Sequence, residues 1–211
     1  MCGPAVAMLK KLVLLAGWVL SMGAQPVFAS PRIPLPSNIQ EFSAWVVRHG
    51  DAGSRFWAVL DKKAAQIYLF SADGVLQSTS PVLLGSATGD DSVPGIGDRR
   101  IRDIRPAEKI TPAGRFVTEP GANLQGEAIV WVDYDASVSM HRVRAVPGES
   151  RLNRLSTPTA RDNRISFGCI NMPSAFYERW VEPTFGTAAG IVYVLPETRS
   201  AARQFGADLS F

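Results

Sequence analysis

The 211-residue chain is poor in metal-binding and fold-stapling residues, with two cysteines, Cys2 and Cys169, and two histidines, His49 and His141. Two cysteines allow at most one disulfide. A zinc centre would have to be completed by carboxylates, none of which stands at a ligand-like spacing, so no metal and no cofactor is expected. A large charge of one sign is lacking too, the formal net charge being +3. Long hydrophobic runs are scarce: the one continuous apolar stretch, Leu12 to Ala24, falls short of the roughly 20 residues that cross a bilayer. What is present is a hydrophobic fraction of 46%, which excludes a disordered chain and predicts one domain with a sizeable core.

The apolar stretch follows Lys10 and Lys11 and leads to Val27-Phe28-Ala29, with small residues at the spacing a signal peptidase reads. Residues 1–29 are therefore read as a signal peptide, an uncleaved anchor being the competing reading. Export to the periplasm or cell envelope follows, with no stable membrane insertion after cleavage. Loss of Lys10 and Lys11 brings the charge from +3 to +1. A near-neutral exported chain is not expected to bind nucleic acid. Cleavage also removes Cys2 and leaves Cys169 as a lone thiol in an oxidising compartment, a liability unless it is buried or used.

Residues 30–54 open with the proline-rich SPRIPLPSNIQ and predict a linker with a short helix at Glu41 to Arg48. Beyond it the pattern turns to β. Phe56 to Asp61, Ala65 to Phe70 and Val75 to Leu84 predict a hairpin or meander through the Asp73-Gly74 turn. Gly114 to Thr118, Ala128 to Tyr134, Val138 to Val143 and Ile191 to Leu195 predict further strands. Residues 85–112, rich in Gly, Asp, Arg and Pro, read as a long surface loop, and 197–211 as a surface tail. A helix is expected over Pro173 to Val181, capped by Asn171 and stopped by Pro183, with a weaker one over Gly148 to Leu155. The fold class is mostly β with one or two short helices.

Around Cys169 a strand-like run, Arg164-Ile165-Ser166-Phe167, leads through Gly168 to the expected helix start, where unpaired N–H groups stabilise negative charge. Gly168 allows close approach, and nearby backbone N–H groups would face a developing oxyanion. Such a nucleophile needs a base. His141 shares a strand face with Ser137 and Ser139, opposite Val138, Met140 and Arg142, which suggests a polar cleft. His49, beside the linker, reads as solvated. An inert buried thiol and a structural histidine are the competing readings.

Ser166-Phe167-Gly168-Cys169-Ile170-Asn171, with a histidine upstream, resembles the cysteine signature of the L,D-transpeptidase catalytic domain. Thr111-Pro112-Ala113-Gly114-Arg115-Phe116 and Trp57 to Phe70 resemble that family's Thr-Pro-x-Gly-x-Phe stretch and opening hairpin. The resemblance covers roughly residues 55–196, the expected catalytic domain, and implies a β-sandwich-like fold without a cofactor. It implies that Cys169 attacks the bond after the third residue of a peptidoglycan stem peptide, releases D-Ala and forms a thioester, which an amine then resolves. His141 would be the base, oriented by the carbonyl of Arg142, with the Gly168 and Cys169 N–H groups as oxyanion donors. Ser166 and Asn171 match motif positions that support or line the substrate site, and Phe167 and Arg164 are further substrate-binding candidates.

Phe167 stands where many members carry a second histidine, and Arg142 where a small residue is customary. The His141-to-Cys169 spacing is also longer than usual, which makes Arg144 to Asn163 an insertion. Arg142, Arg144, Arg151, Arg154, Arg161 and Arg164 populate this stretch, either to hold stem carboxylates or as a solvated basic face. The alternatives are an L,D-carboxypeptidase or amidase, with a wall-attached protein among the partners, and a catalytically inactive wall-binding domain. Chain order argues against a papain-like peptidase, which places the cysteine before the histidine. A monomer is expected.

Overall fold

Pro36 leads into α1 (Ser37–His49), whose Ile39, Phe42, Trp45 and Val46 recur at helical spacing and are buried. Gly50 ends it in the left-handed conformation, at φ 59°. The strands are β1 (Trp57–Asp61), β2 (Gln66–Phe70), β3 (Leu76–Pro81), β4 (Leu84–Gly85), β5 (Gly114–Val117), β6 (Glu119–Ala122), β7 (Ala128–Asp133), β8 (Val138–Arg142), β9 (Arg164–Ser166), β10 (Ile170–Met172) and β11 (Ile191–Val194). The remaining helices are α2 (Arg151–Leu155), α3 (Ser174–Phe176), which continues through a π-helical stretch (Tyr177–Val181) into α4 (Glu182–Phe185), and α5 (Ala201–Phe205). The computed structural model describes residues 34–206 and 208–211, so the expected signal peptide and Cys2 lie outside the described residues. No helix among the described residues is long and apolar enough to cross a membrane.

Two kinds of strand make two kinds of sheet. β1 and β11 are apolar and buried at almost every position, as strands covered on both faces must be. They form the centre of a five-stranded sheet ordered β3-β2-β1-β11-β5, with β1 and β11 parallel. One face presents Trp57, Val59, Tyr68, Phe70 and Tyr193 to α1, Ala201 and Leu209. The other presents Ala58, Leu60, Ile67, Leu69, Val192 and Val194 to a second sheet, ordered β10-β8-β7-β6. That sheet fills the shared core with Val130, Val132, Val138, Met140, Ile170 and Met172. Its strands alternate, so its other face is left for polar side chains. The fold is thus mostly β and sandwich-like, with a two-stranded parallel β4-β9 ribbon at the side.

Several expectations change in detail. The first helix starts at Ser37, and β6 was not foreseen because Glu119-Pro120-Gly121 lacks β-formers. Pro183 does not stop the late helix, because it lies in the first turn of α4, where a missing N–H is tolerated. Residues 85–112 do not simply lie on the surface: three 3-10 turns interrupt them, and Asp90, Glu108 and Thr111 are buried. The ammonium of Lys62, itself fully buried, donates to the carbonyls of Gly89 and Thr111 and to Asp90, pinning this segment. Nor does the tail stay at the surface, since Ala201 and Leu209 enter the core beneath α1.

Candidate active site

The outer face of the four-stranded sheet carries the candidate site. In the parallel register of β8 and β10, Met140 pairs with Ile170 and His141 with Asn171. Met140 and Ile170 point into the core, so Ser139, His141, Cys169 and Asn171 share the outer face. The half-buried Cys169 Sγ lies 3.7 Å from Ser139 Oγ and 3.5 Å from the Ser137 carbonyl oxygen. No hydrogen bond joins the thiol to His141, which stands one step further along the same face of β8.

His141 is fixed by its own strand. Its Nδ1 lies 2.7 Å from the carbonyl oxygen of Arg142, which can only accept, so Nδ1 carries the proton and Nε2 the lone pair. Burial holds the imidazole below the ordinary histidine range, against the pull of that hydrogen bond and with help from the charges of Arg144 and Arg151. A neutral imidazole with a fixed tautomer is equipped to act as a base. The Arg142 side chain pairs with Glu178 and Glu182 and lies over the ring of Tyr177, which anchors the end of β8 to the late helix. His49 ends α1, on the far side of the five-stranded sheet, where it faces Asp208.

The turn before β10 is held by buried side chains. Ser166 Oγ donates to the Cys169 carbonyl (2.7 Å) and accepts the Gly168 N–H (3.1 Å), while Asn171 Nδ2 donates to the same carbonyl (3.1 Å). The hydroxyl of Thr111 accepts the Gly85 N–H and donates to the Gly168 carbonyl at 2.8 Å. Thr111 therefore supports the turn before Cys169 from behind. The sequence marked it only as part of a resemblance.

This geometry bears on four expectations. Cys169 does not open a helix: it precedes strand β10, and α3 begins only at Ser174, because Pro173 drives Met172 into extended backbone. The Gly168 N–H, expected to face an oxyanion, is already donated to Ser166 Oγ. Ser166 and Asn171 are 3% and 1% exposed and both donate to the Cys169 carbonyl, so they brace the turn. Arg164 is spent on Glu197 and the Lys62 carbonyl.

The other arginines of the stretch are also largely engaged. Arg144 pairs with Glu127, Arg151 with Glu149 and Asn171, and Arg154 donates to the carbonyls of Glu149 and Asp162. Phe167, by contrast, stays exposed at the rim with the Lys109 ammonium 3.8 Å from its ring centre. A cavity of about 190 Å³ opens beside His141, between Glu127, Ile129, Arg144 and Ser174. A larger one, of about 450 Å³, opens at the opposite end of β8, beside Ser137.

No protein-family model matches the chain, and no curated protein matches it. Among solved structures it is similar to an L,D-transpeptidase from Mycobacterium smegmatis, at 17% identity and a TM-score of 0.38 over 67% of this chain and 59% of that one. An L,D-transpeptidase from Enterococcus faecium matches at 17% identity and a TM-score of 0.38, over 67% of this chain and 50% of that one. The helical cell shape determining protein Pgp2 from Campylobacter jejuni matches at 14% identity and a TM-score of 0.44, over 78% and 58%. The chain thus spans less than two thirds of each of these proteins.

Proposed function

We propose that the protein is an exported cysteine-dependent L,D-transpeptidase that acts on peptidoglycan stem peptides. The observation that carries this reading is the placing, on one sheet face, of the half-buried Cys169 thiol and an imidazole whose Nδ1–H is locked on its own strand. The cysteine signature from Ser166 to Asn171 supports the same chemistry.

In the proposed reaction the Cys169 side chain turns along β8 and passes its proton to Nε2 of His141. The thiolate attacks the carbonyl carbon of the L,D-peptide bond, and the tetrahedral oxyanion faces the Cys169 N–H. The C–N bond then breaks as the imidazolium returns its proton to the departing D-Ala amine, leaving a thioester. An amine of a second stem attacks that thioester and gives its proton to His141. An amide forms, the C–S bond breaks, and the thiolate recovers the proton.

The test is incubation with a disaccharide-tetrapeptide followed by mass spectrometry of protein and product. A thioester on Cys169, loss of D-Ala and a crosslinked dimer are expected, all absent in Cys169→Ala. Loss of D-Ala with monomer alone would replace transfer by hydrolysis. Absence of any adduct on Cys169 would overturn the reading.

A further inference from the structure

The segment 144–163, between β8 and β9, takes no part in the proposed proton transfers, yet it reaches the turn that carries the thiol. Its short helix α2 is anchored where Leu155 joins Leu83 and Val143 in a small buried cluster. Ser150, immediately before α2, takes the left-handed conformation at φ 48°, which a non-glycine residue holds only where its surroundings over-determine it. Arg151 follows, with a side chain only 11% exposed. Its Nε donates to Glu149, and its Nη1 donates to Asn171 Oδ1 at 3.0 Å. Among the described residues this is the one side-chain hydrogen bond from the segment to β10.

The Cys169 side chain is aimed by the peptide planes on either side of it. Thr111 Oγ1 donates to the Gly168 carbonyl and holds the plane before Cys169. The carbonyl of Cys169 belongs to the plane after it, and its two lone pairs are filled by Ser166 Oγ and Asn171 Nδ2. These three donors differ in what holds them. Thr111 is fixed by accepting the Gly85 N–H and Ser166 by accepting the Gly168 N–H, both backbone groups. The Asn171 amide is held at its other end by Arg151, the one partner of its Oδ1 among the described residues. A guanidinium can only donate, so it selects the amide orientation that leaves Nδ2 facing the Cys169 carbonyl. Asn171 also pairs with His141 across β10 and β8, which places this contact beside the base.

We infer that Arg151 is a positioning residue for the nucleophile: through Asn171 it fixes the peptide plane after Cys169, and so makes the reactivity of the thiol depend on the 144–163 segment. Loss of the guanidinium leaves Asn171 Oδ1 without a partner in a residue that is 1% exposed, and the amide turns from the Cys169 carbonyl to find one. The kinetic consequence rests on the acyl-transfer reading above, and the geometric one does not.

The experiment measures thioester formation on Cys169 against stem-peptide concentration, per folded molecule of the full chain, for the native protein, Arg151→Met, Asn171→Ala and the two combined. A small misplacement of a nucleophile is costly, so Arg151→Met is expected to lower the limiting rate roughly tenfold with the half-saturating concentration unchanged. Asn171→Ala is expected to lower it by as much or more. The combined variant is expected to be no slower than Asn171→Ala, because the guanidinium acts through the amide. An unchanged limiting rate with a raised half-saturating concentration would mean that Arg151 holds a substrate carboxylate, and would overturn the inference. So would an unchanged rate throughout, or losses that multiply in the combined variant. If Arg151→Met does not fold, Arg151→Lys carries the test: it keeps the charge but not the fork that spans Glu149 and Asn171, and a native limiting rate there overturns the inference. If the native protein forms no thioester, the acyl-transfer reading fails, and the inference is judged by NMR of protein labelled with carbon-13 at the cysteine carbonyl. The Cys169 signal, assigned by its loss in Cys169→Ala, is expected to move in Arg151→Met in the same direction as in Asn171→Ala. An unmoved signal overturns the inference.

Discussion

At Gly168 the backbone takes φ 136°, and a Cβ would stand 2.8 Å from the Ile110 carbonyl oxygen. Gly168→Ala therefore meets both a disfavoured conformation and a wall that is backbone. A loss of about 1–3 kcal/mol in urea unfolding is expected, together with slower thioester formation as the Cys169 N–H is displaced. His141 makes a second prediction. Its burial places the imidazole below the usual 6.5, so thioester formation should rise with pH along a limb centred below that value and be near its plateau at pH 7. His141→Asn should abolish that limb and slow acylation by about a hundredfold or more. Scarcity made Cys169 and His141 legible in the sequence. The partners of Ser166, Asn171 and Arg164 were not, because a polar side chain takes whichever group the fold brings to it, as Arg164 does with Glu197, 33 residues away.

At the scale of elements, alternation was the most informative pattern. Val138 to Arg142 gave the strand, its two faces and the company of His141, while the unbroken apolar run of β11 marked a strand buried on both sides. The helix expected over Pro173 to Val181 begins at Ser174, so Cys169 lies too far upstream to stand at its start, as Met172-Pro173 signalled. Least legible was the segment 85–112, whose anchors are single side chains reaching distant backbone. Thr111 is the one that bears on the site. Thr111→Val keeps the shape but leaves the Gly85 N–H and the Gly168 carbonyl without a buried partner. A loss of about 1–3 kcal/mol is expected, with a lower thioester yield per folded molecule, whereas Thr111→Ser retains the hydroxyl and most of the yield.

For the molecule as a whole, one sheet is covered on both faces and the other on one, which leaves the outer face of β10-β8-β7-β6 as the place for a polar site. What keeps the parts in register is a buried charge cluster. Lys62 lies against Asp90 and Glu197, and Glu197 receives Arg164, so the cluster joins the end of β1, the 85–112 segment, β9 and the tail. Burial alone would raise the Asp90 carboxyl, but hydrogen bonds from Lys62, Thr198 and the backbone N–H groups of Glu197 and Thr198 outweigh it and hold it well below the usual range. Glu108, bonded by Arg105 and Arg99, is lowered in the same way from 4.5 to about 2. Carboxyls depressed by folding stabilise the native state above their unfolded pKa, and that stabilisation is lost as pH falls through the folded one. The protein should keep its stability down to about pH 4.5 and lose it progressively towards pH 2, as followed by near-UV circular dichroism. Removing the cation at pH 7 is the sharper test. Lys62→Met leaves Asp90 charged and buried without its partner, a change expected to cost about 3–5 kcal/mol in urea unfolding. Adding Asp90→Asn removes the stranded charge and should recover part of that loss. A double variant no more stable than Lys62→Met would mean that the cluster acts by packing alone, and that charge is not what fastens the 85–112 segment and the tail to the sheets.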